Sequence, residues 1–140
     1  MFNLLDKDAV VPTRATAGSA GFDLYALEDA VVEDGDVAVV STGVSVDIPD
    51  GHYALVCSRS GLAAKYGVFV LNAPGIIDSD YRQEIKVILA KFPNSTDAGC
   101  FKINKGDRIA QLVFAQCDVS ILSRVTADAE RTGGLGSTGI

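Results

Sequence analysis

The sequence predicts an all-β domain with one short helix, and two observations support this prediction. Apolar residues alternate with polar ones over several short segments, as they do in strands that bury one face. Groups of Gly, Pro, Asn and Asp separate these segments roughly every 8–14 residues. Short strands at this spacing are typical of a β-barrel or β-sandwich, and a chain of 140 residues suits one domain.

Four segments have the strongest strand patterns. Alternation in the segment 37–48 places apolar residues at Val37, Val39, Val44, Val46 and Ile48. The segment 84–92, EIKVILAKF, repeats the alternation. Two denser apolar segments, YGVFVLNAP at 66–74 and IAQLVFAQC at 109–117, are expected to be buried on both faces.

The segment 58–67, SRSGLAAKYG, is the one predicted helix. Its centre contains good helix formers. Ser58 or Ser60 is expected to cap the N-terminus, and Gly67 is expected to end the helix.

Composition argues against several functional classes. A net charge of −6 without a basic run argues against non-specific binding to nucleic acid. No apolar run approaches the roughly 18 residues that span a bilayer, and the N-terminus lacks a signal-peptide pattern. We therefore expect a soluble protein that does not bind membranes and is cytoplasmic, or nuclear if its source is eukaryotic or viral. The single histidine, His52, is expected to be half-exposed on a strand.

Two segments carry polar residues suited to a phosphate ligand. In AGFDLYA at 20–26, Asp23 lies among apolar residues, and its ordinary alternative is a solvent-facing strand aspartate. In SRSGLA, Arg59 stands where unpaired N–H groups at a helix start favour an anion. The ordinary alternative there is a capped helix with a surface arginine.

Two further segments suit a heterocycle and a catalytic water. NAPGIIDSDYRQEI at 72–85 contains a tight turn and is expected to fold as a hairpin. Asp78 follows two isoleucines and is a candidate general base, although solvated acids beside a turn are the plainer reading. In KGDRIAQLVF at 105–114, Gln111 must find polar partners, either in a ligand or in neighbouring backbone.

Together with the C-terminal RTGGLGSTG at 131–139, these segments resemble the five motifs of the trimeric dUTP pyrophosphatases, the dUTPases. The resemblance implies a jelly-roll-like β-barrel of residues 1–130 with one short helix, and a flexible glycine-rich arm of residues 131–140. It also implies a homotrimer whose active sites are shared between subunits. The implied reaction is Mg²⁺-dependent hydrolysis of dUTP to dUMP and pyrophosphate, which limits uracil in DNA and supplies dUMP for dTMP synthesis.

The resemblance also implies roles for individual residues. Asp78 would orient and deprotonate the water that attacks the α-phosphorus, and Asp23 would contact Mg²⁺ through water. Gln111 would lie near the phosphates and this water. The implied phosphate contacts of the second motif are Arg59, Ser60 and Gly61.

The implied nucleoside contacts come from the third motif and the strand after it. Tyr81 would pack under the deoxyribose and crowd out a 2′-hydroxyl. The residues expected to read uracil are Asn72, Gly75, Ile76, Ile77 and Lys86.

The arm would close over the bound nucleotide. Its implied ligand contacts are Arg131, Leu135, Gly136, Ser137 and Thr138. Leu135 departs from the family pattern, which usually has a phenylalanine stacked on the uracil, so we expect weaker closure. Two other functions stay open: a dCTP deaminase on the same fold, and a regulatory protein that binds a partner.

Overall fold

The computed structural model describes residues 1–93 and 99–118. Within these ranges the chain forms eleven strands and one helix. In chain order the elements are β1 (Phe2–Leu4), β2 (Gly21–Tyr25), β3 (Ala30–Glu33), β4 (Val37–Ser41), β5 (Val44–Val46), β6 (His52–Cys57), α1 (Ser60–Tyr66), β7 (Val68–Val70), β8 (Gly75–Ile77), β9 (Lys86–Lys91), β10 (Cys100–Ile103) and β11 (Arg108–Gln116).

All paired strands are antiparallel, and they form four sheets. The largest sheet has the order β2-β11-β6-β8, the next has the order β4-β9-β7, and two pairs join β1 to β5 and β3 to β10. The predicted all-β class with one short helix is confirmed. Among the described residues the pairing does not close into one continuous barrel.

The core contains side chains from both larger sheets. Leu24, Val56 and Leu112 come from the four-stranded sheet, and Val87 and Leu89 from the three-stranded sheet. The alternation predicted for the segment 84–92 is confirmed by the burial of Ile85, Val87 and Leu89. Burying this apolar surface drives the two sheets together.

The predicted burial on both faces is wrong for the single chain. In β11, Leu112 is buried but Val113 is only half-buried, and in β7, Phe69 is half-buried between two buried valines. The segment 37–48 also differs, because Val37 and Val39 point outward.

The helix forms where the sequence predicts it, but its cap differs. Arg59 is the N-cap residue and makes no side-chain cap hydrogen bond. Ser60 lies inside the helix, and the Ser58 hydroxyl accepts a hydrogen bond from the Val70 N–H at 2.9 Å, so neither serine caps it. Gly67 ends the helix in the left-handed conformation, as predicted. Within the described residues, no helix has the length and apolar character needed to cross a membrane.

The three-stranded sheet is apolar on its outer surface as well. Val39 lies opposite Ile88, and the Ile88 carbonyl accepts the Leu71 N–H, so these side chains form one row. Val39 is 55% exposed and Leu71 is 50% exposed. A second row joins the next positions of the three strands. We call this surface the outward apolar face; its residues are Val37, Val39, Phe69, Leu71, Ile88 and Ala90.

One buried lysine joins β9 to the turn after β3. The Lys91 ammonium is inaccessible to solvent and donates a hydrogen bond to the Asp34 carboxylate. The Gly99 N–H donates to the other carboxylate oxygen at 2.9 Å. These two donors, with Lys91 contributing most, hold the pKa of Asp34 below its usual value.

Candidate active site

Three of the predicted motifs meet on the outer surface of the four-stranded sheet. Gln111 lies opposite Asp23 on one neighbouring strand and opposite Cys57 on the other. Arg59 follows shortly after Cys57, and its Nε lies 3.2 Å from Asp23 Oδ1. The sheet therefore brings together residues that are far apart in sequence, as an assembled binding site requires.

A second arginine joins the site, and the sequence reasoning missed it. Arg108 Nη1 lies 3.3 Å from Asp23 Oδ2, and the Arg108 carbonyl accepts a hydrogen bond from Arg59 Nη1 at 2.8 Å. We call Asp23, Arg59 and Arg108 the arginine cluster. Its two guanidinium groups outnumber the one carboxylate, so it keeps a positive charge in an acidic chain.

A break in the register explains why Arg108 was missed. Strict alternation places Arg108 and Gln111 on opposite faces of a strand, because they are three residues apart. The register shifts between Arg108 and Ala110, so that Arg108 pairs with Tyr25 while Gln111 pairs with Asp23. This irregularity turns Arg108 to the same face as Asp23, as a β-bulge does. Within the motif GDRIAQ, only the turn before Arg108 indicated an irregular strand start.

Exposure leaves the arginine cluster accessible to a ligand. The side chains of Arg59 and Arg108 are 26% and 50% exposed, whereas the Asp23 side chain is 15% exposed. Ser60 and Gly61 are exposed beside them. Because a guanidinium presents several donors in a planar fork, each arginine can hold Asp23 and still bind phosphate oxygens.

Gln111 is held at one end of the cluster. Its Nε2 donates a hydrogen bond to the Ser58 carbonyl at 3.0 Å, so the amide has a backbone partner in the segment that carries Arg59. The ordinary reading of Gln111, a glutamine bonded to neighbouring backbone, is therefore correct as far as its amide nitrogen is concerned.

Asp78 lies in a different place. It directly follows β8, is half-buried, and lines a cavity of about 540 Å³ with His52, Tyr53, Ile76 and Ser79. His52 is half-exposed at the start of β6, as predicted. This cavity offers a carboxylate beside apolar and hydroxyl-bearing side chains, which suits a general base and a ring.

The predicted hairpin does not form as a pair of bonded strands. The strand before the turn, β7, pairs with β9, and the strand after it, β8, pairs with β6. The turn contains the Ala73–Pro74 cis peptide bond. A side chain at Gly75 would begin 3.0 Å from Asn72 Nδ2 and 3.5 Å from Val56 Cβ, so Asn72 packs directly on the Gly75 backbone.

The strand β8 is the edge of its sheet. It pairs with β6 on one side only among the described strands. An edge strand presents unpaired backbone donors and acceptors on its outer side. The backbone from Gly75 to Ile77 is therefore open on its outer side, and its contact with uracil stays a prediction.

Tyr81 and Lys86 both have contacts with Glu84. The half-buried Tyr81 hydroxyl donates a hydrogen bond to the Glu84 carbonyl at 2.8 Å, and its N–H donates to the Asp78 carbonyl at 3.1 Å. Lys86 is the first residue of β9 in the three-stranded sheet, and its Nζ lies 3.7 Å from Glu84 Oε2. The structure thus fixes Tyr81 beside Asp78 and places Lys86 on another sheet from Ile76 and Ile77.

Within one chain, Asp78 and the arginine cluster lie toward opposite ends of β6. Ala54 of β6 lies opposite Ile77, the residue before Asp78, whereas Cys57 lies opposite Gln111. Asp78 therefore lies at the level of Tyr53. Tyr53 and Cys57 are four residues apart on β6, which is about 13 Å along a strand. Within a single chain, the strand positions that carry Asp78 and the arginine cluster are therefore well separated.

The predicted metal has no protein cage among the described residues, where no group of three metal-ligating side chains occurs. Both oxygens of Asp23 face guanidinium groups. Because both oxygens are engaged by cations, Asp23 is not placed as a direct ligand of Mg²⁺, and its contact to the metal through water stays a prediction.

The predicted contacts of the arm lie outside the described residues; they are Arg131, Leu135, Gly136, Ser137 and Thr138.

An all-β domain that presents two solvent-accessible arginines oriented by one carboxylate is suited to binding a phosphorylated ligand. The dUTPase family model matches residues 7–139, so the chain belongs to the dUTPase family.

Relatives named deoxyuridine 5'-triphosphate nucleotidohydrolase are similar to this chain along nearly its whole length. A deoxyuridine 5'-triphosphate nucleotidohydrolase of Anaplasma marginale is 48% identical over 134 residues, covering 92% of this chain and 88% of the relative. One from Paramecium bursaria Chlorella virus 1 is 45% identical over 139 residues, covering 97% and 94%. Among solved structures, a mutant of the Staphylococcus bacteriophage 80alpha dUTPase with dUpNHpp matches with a TM-score of 0.79 at 27% identity, covering 100% and 98%.

A second solved structure concerns a metal. A mutant dUTPase from phage phi11 of S. aureus, described with the coordination of a structural Mg(II) ion, matches with a TM-score of 0.77 at 28% identity. The match covers 91% of this chain and 97% of that protein.

Proposed function

We propose that this chain hydrolyses dUTP to dUMP and pyrophosphate. The observation that carries the proposal is the arginine cluster, in which the predicted phosphate-binding motifs meet around one carboxylate. The relatives named deoxyuridine 5'-triphosphate nucleotidohydrolase support the choice of substrate.

The arginine cluster and the start of α1 bind the triphosphate in this proposal. Arg59 and Arg108 donate to phosphate oxygens while Asp23 fixes their orientation. At the helix start, the Leu62 and Ala63 N–H groups already donate to the Arg59 carbonyl. The donors left for the phosphates there are those of Ser60 and Gly61. Preorganised donors of this kind stabilise charge that develops in the transition state.

Asp78 acts as the general base that orients and deprotonates the attacking water, and Gln111 lies near that water. Asp78 directly follows β8, and its carbonyl accepts a hydrogen bond from the Tyr81 N–H at 3.1 Å, so its backbone is anchored on both sides. Positioning supplies much of the rate in phosphoryl transfer.

The β8 segment selects uracil and deoxyribose. Backbone groups of Gly75, Ile76 and Ile77 pair with the edge of the base, and Asn72 packs behind them. Cytosine would leave donors facing donors, which costs about 1–3 kcal/mol for each unpaired buried group. Tyr81, with its hydroxyl held by Glu84, provides a rigid face for the deoxyribose. Lys86 contributes to this subsite less directly, from the neighbouring sheet.

Magnesium is the expected cofactor, and Asp23 would contact it only through water. When bound with the nucleotide, Mg²⁺ neutralises charge on the phosphate oxygens. The residues of this chain bind and orient the nucleotide around it: Arg59 and Arg108 hold the phosphates, and Asp23 keeps both guanidinium groups in place.

The active form is a homotrimer with shared sites in this proposal. Asp78 of one subunit approaches the arginine cluster of the next, which overcomes their separation within one chain. The outward apolar face supports self-association, because contiguous exposed apolar surface marks an interaction site. The domain of residues 1–130 forms the body of each site, and the glycine-rich arm of residues 131–140 closes over the bound nucleotide.

A turnover assay tests the proposed function. The wild-type protein with Mg²⁺ is expected to release pyrophosphate from dUTP, and far less from dTTP, dCTP or UTP. Asp78→Asn should abolish turnover while retaining dUTP binding, whereas Asp80→Asn, an exposed carboxylate two residues on, should remain active. Near-normal turnover in Asp78→Asn, or ammonia released from dCTP, would contradict the proposal.

A further inference from the structure

Gly21 lies directly against the side chain of Gln111. A Cβ atom added at Gly21 would lie 2.4 Å from Gln111 Oε1 and 3.2 Å from both Gln111 Cβ and Cδ. Real side chains do not approach this closely, so any other residue at position 21 requires Gln111 to move. Gly21 is not among the glycines with positive φ, so space rather than backbone conformation requires glycine.

The same glutamine is held at its other polar atom. Gln111 Nε2 donates to the Ser58 carbonyl at 3.0 Å, one residue before Arg59. Thus Oε1 occupies the space left by Gly21 and Nε2 points to the segment that carries the phosphate-binding arginine. Between them, these two contacts fix the orientation of the amide.

We propose that Gly21 is a positioning residue for the reaction. By having no side chain, it lets the Gln111 amide lie flat across β2 and keep its bond to Ser58. An alanine at position 21 would push the amide away, break that hydrogen bond and displace the group next to the water and phosphates. The inference rests on the proposed role of Gln111.

The expected effect is large for so small a substitution. Displacing a positioned group by about 1 Å can lower the rate by about a hundredfold. Since the amide can find a second rotamer, we expect Gly21→Ala to lower kcat/KM for dUTP about tenfold to a hundredfold.

A double-mutant cycle tests this inference. Gly21→Ala, Gln111→Ala and the double variant are compared with Gly18→Ala, the matched control. A Cβ atom at Gly18 meets nothing within 4 Å, and this residue lies three positions before Gly21 in the chain. We expect Gly18→Ala to be fully active, Gly21→Ala to be impaired, and the double variant to be no worse than Gln111→Ala. In that background, there is no amide left to displace.

If Gly21→Ala folds poorly, melting temperatures provide a second test of the proposed clash between a side chain at position 21 and Gln111. The melting temperature of the double variant should then exceed that of Gly21→Ala, because removing the glutamine relieves the clash. An equal loss of activity from Gly21→Ala in both backgrounds, or full activity in Gly21→Ala while Gln111→Ala is impaired, would overturn the inference alone. Full activity in Gln111→Ala would instead overturn the proposed role of Gln111, and this inference with it.

Discussion

Arg108 is a surface residue whose removal should affect catalysis much more than folding. Its side chain is 50% exposed, and its ion pair is the 3.3 Å contact with Asp23. Exposed pairs contribute about 0.2–1 kcal/mol to stability. We therefore expect Arg108→Ala to fold normally, with a melting temperature within a few degrees of wild type.

The effect on substrate binding should be larger. A hydrogen bond to a charged group contributes about 1.5–3 kcal/mol where it is shielded from water. Because Arg108 is half-exposed, we expect a value around or below the lower end of this range, about 1–2 kcal/mol, which is about a 5- to 30-fold loss in kcat/KM. Arg108→Lys should recover part of the loss, since it restores the charge without the planar fork.

Steady-state kinetics with dUTP measure this effect, and Lys102→Ala is the matched control. Lys102 is an exposed cation on β10, so both variants lower the net charge by one. We expect the control to keep wild-type kcat/KM. Equal losses in both variants would indicate a general electrostatic field, and unchanged kinetics in Arg108→Ala would refute the assignment of Arg108 to the phosphate site.

Three further predictions concern assembly, acid stability and the arm. Val39→Lys places a charge on the outward apolar face and should shift the protein from trimer to monomer with loss of activity, as followed by sedimentation; Val11→Lys, a 49% exposed residue outside this face, should remain trimeric. Because folding lowers the pKa of Asp34, its ionised form stabilises the protein above its ordinary pKa, and this contribution disappears as the pH falls through the folded value. The melting temperatures of wild type and Asp34→Asn should therefore differ at about pH 7, and the difference should shrink steadily as the pH falls below the ordinary pKa of an aspartate; a difference that stays constant would contradict this. A chain ending at Glu130 should fold but hydrolyse dUTP poorly, and full activity would show that the arm is dispensable.

The sequence predicted what depends on local pattern. Alternation placed Ile85, Val87 and Leu89 in the core, because the period of a strand is set by its backbone. Gly67 ended the helix because glycine adopts the left-handed conformation at little cost.

Features that depend on partners from elsewhere in the chain were not predictable. Serine is a common helix cap, but the Ser58 hydroxyl accepts a hydrogen bond from the Val70 N–H instead of capping the helix. The expected hairpin does not form, because β7 pairs with β9 and β8 pairs with β6 in a different sheet. Arg108 lies on the same face as Asp23 because the register shifts between Arg108 and Ala110. A strictly alternating strand would place Arg108 on the other face from Gln111.

Subunit complementation tests the central claim, that catalytic and phosphate-binding residues come from different subunits. Asp78→Asn and Arg59→Ala should each be inactive alone. After equal amounts are unfolded together and refolded, about a quarter of the sites in a cyclic trimer should combine an intact Asp78 with an intact Arg59 of the neighbouring subunit. We predict recovery of about a quarter of wild-type activity, measured against wild type refolded in the same way. A mixture that refolds into trimers and stays inactive would contradict the account.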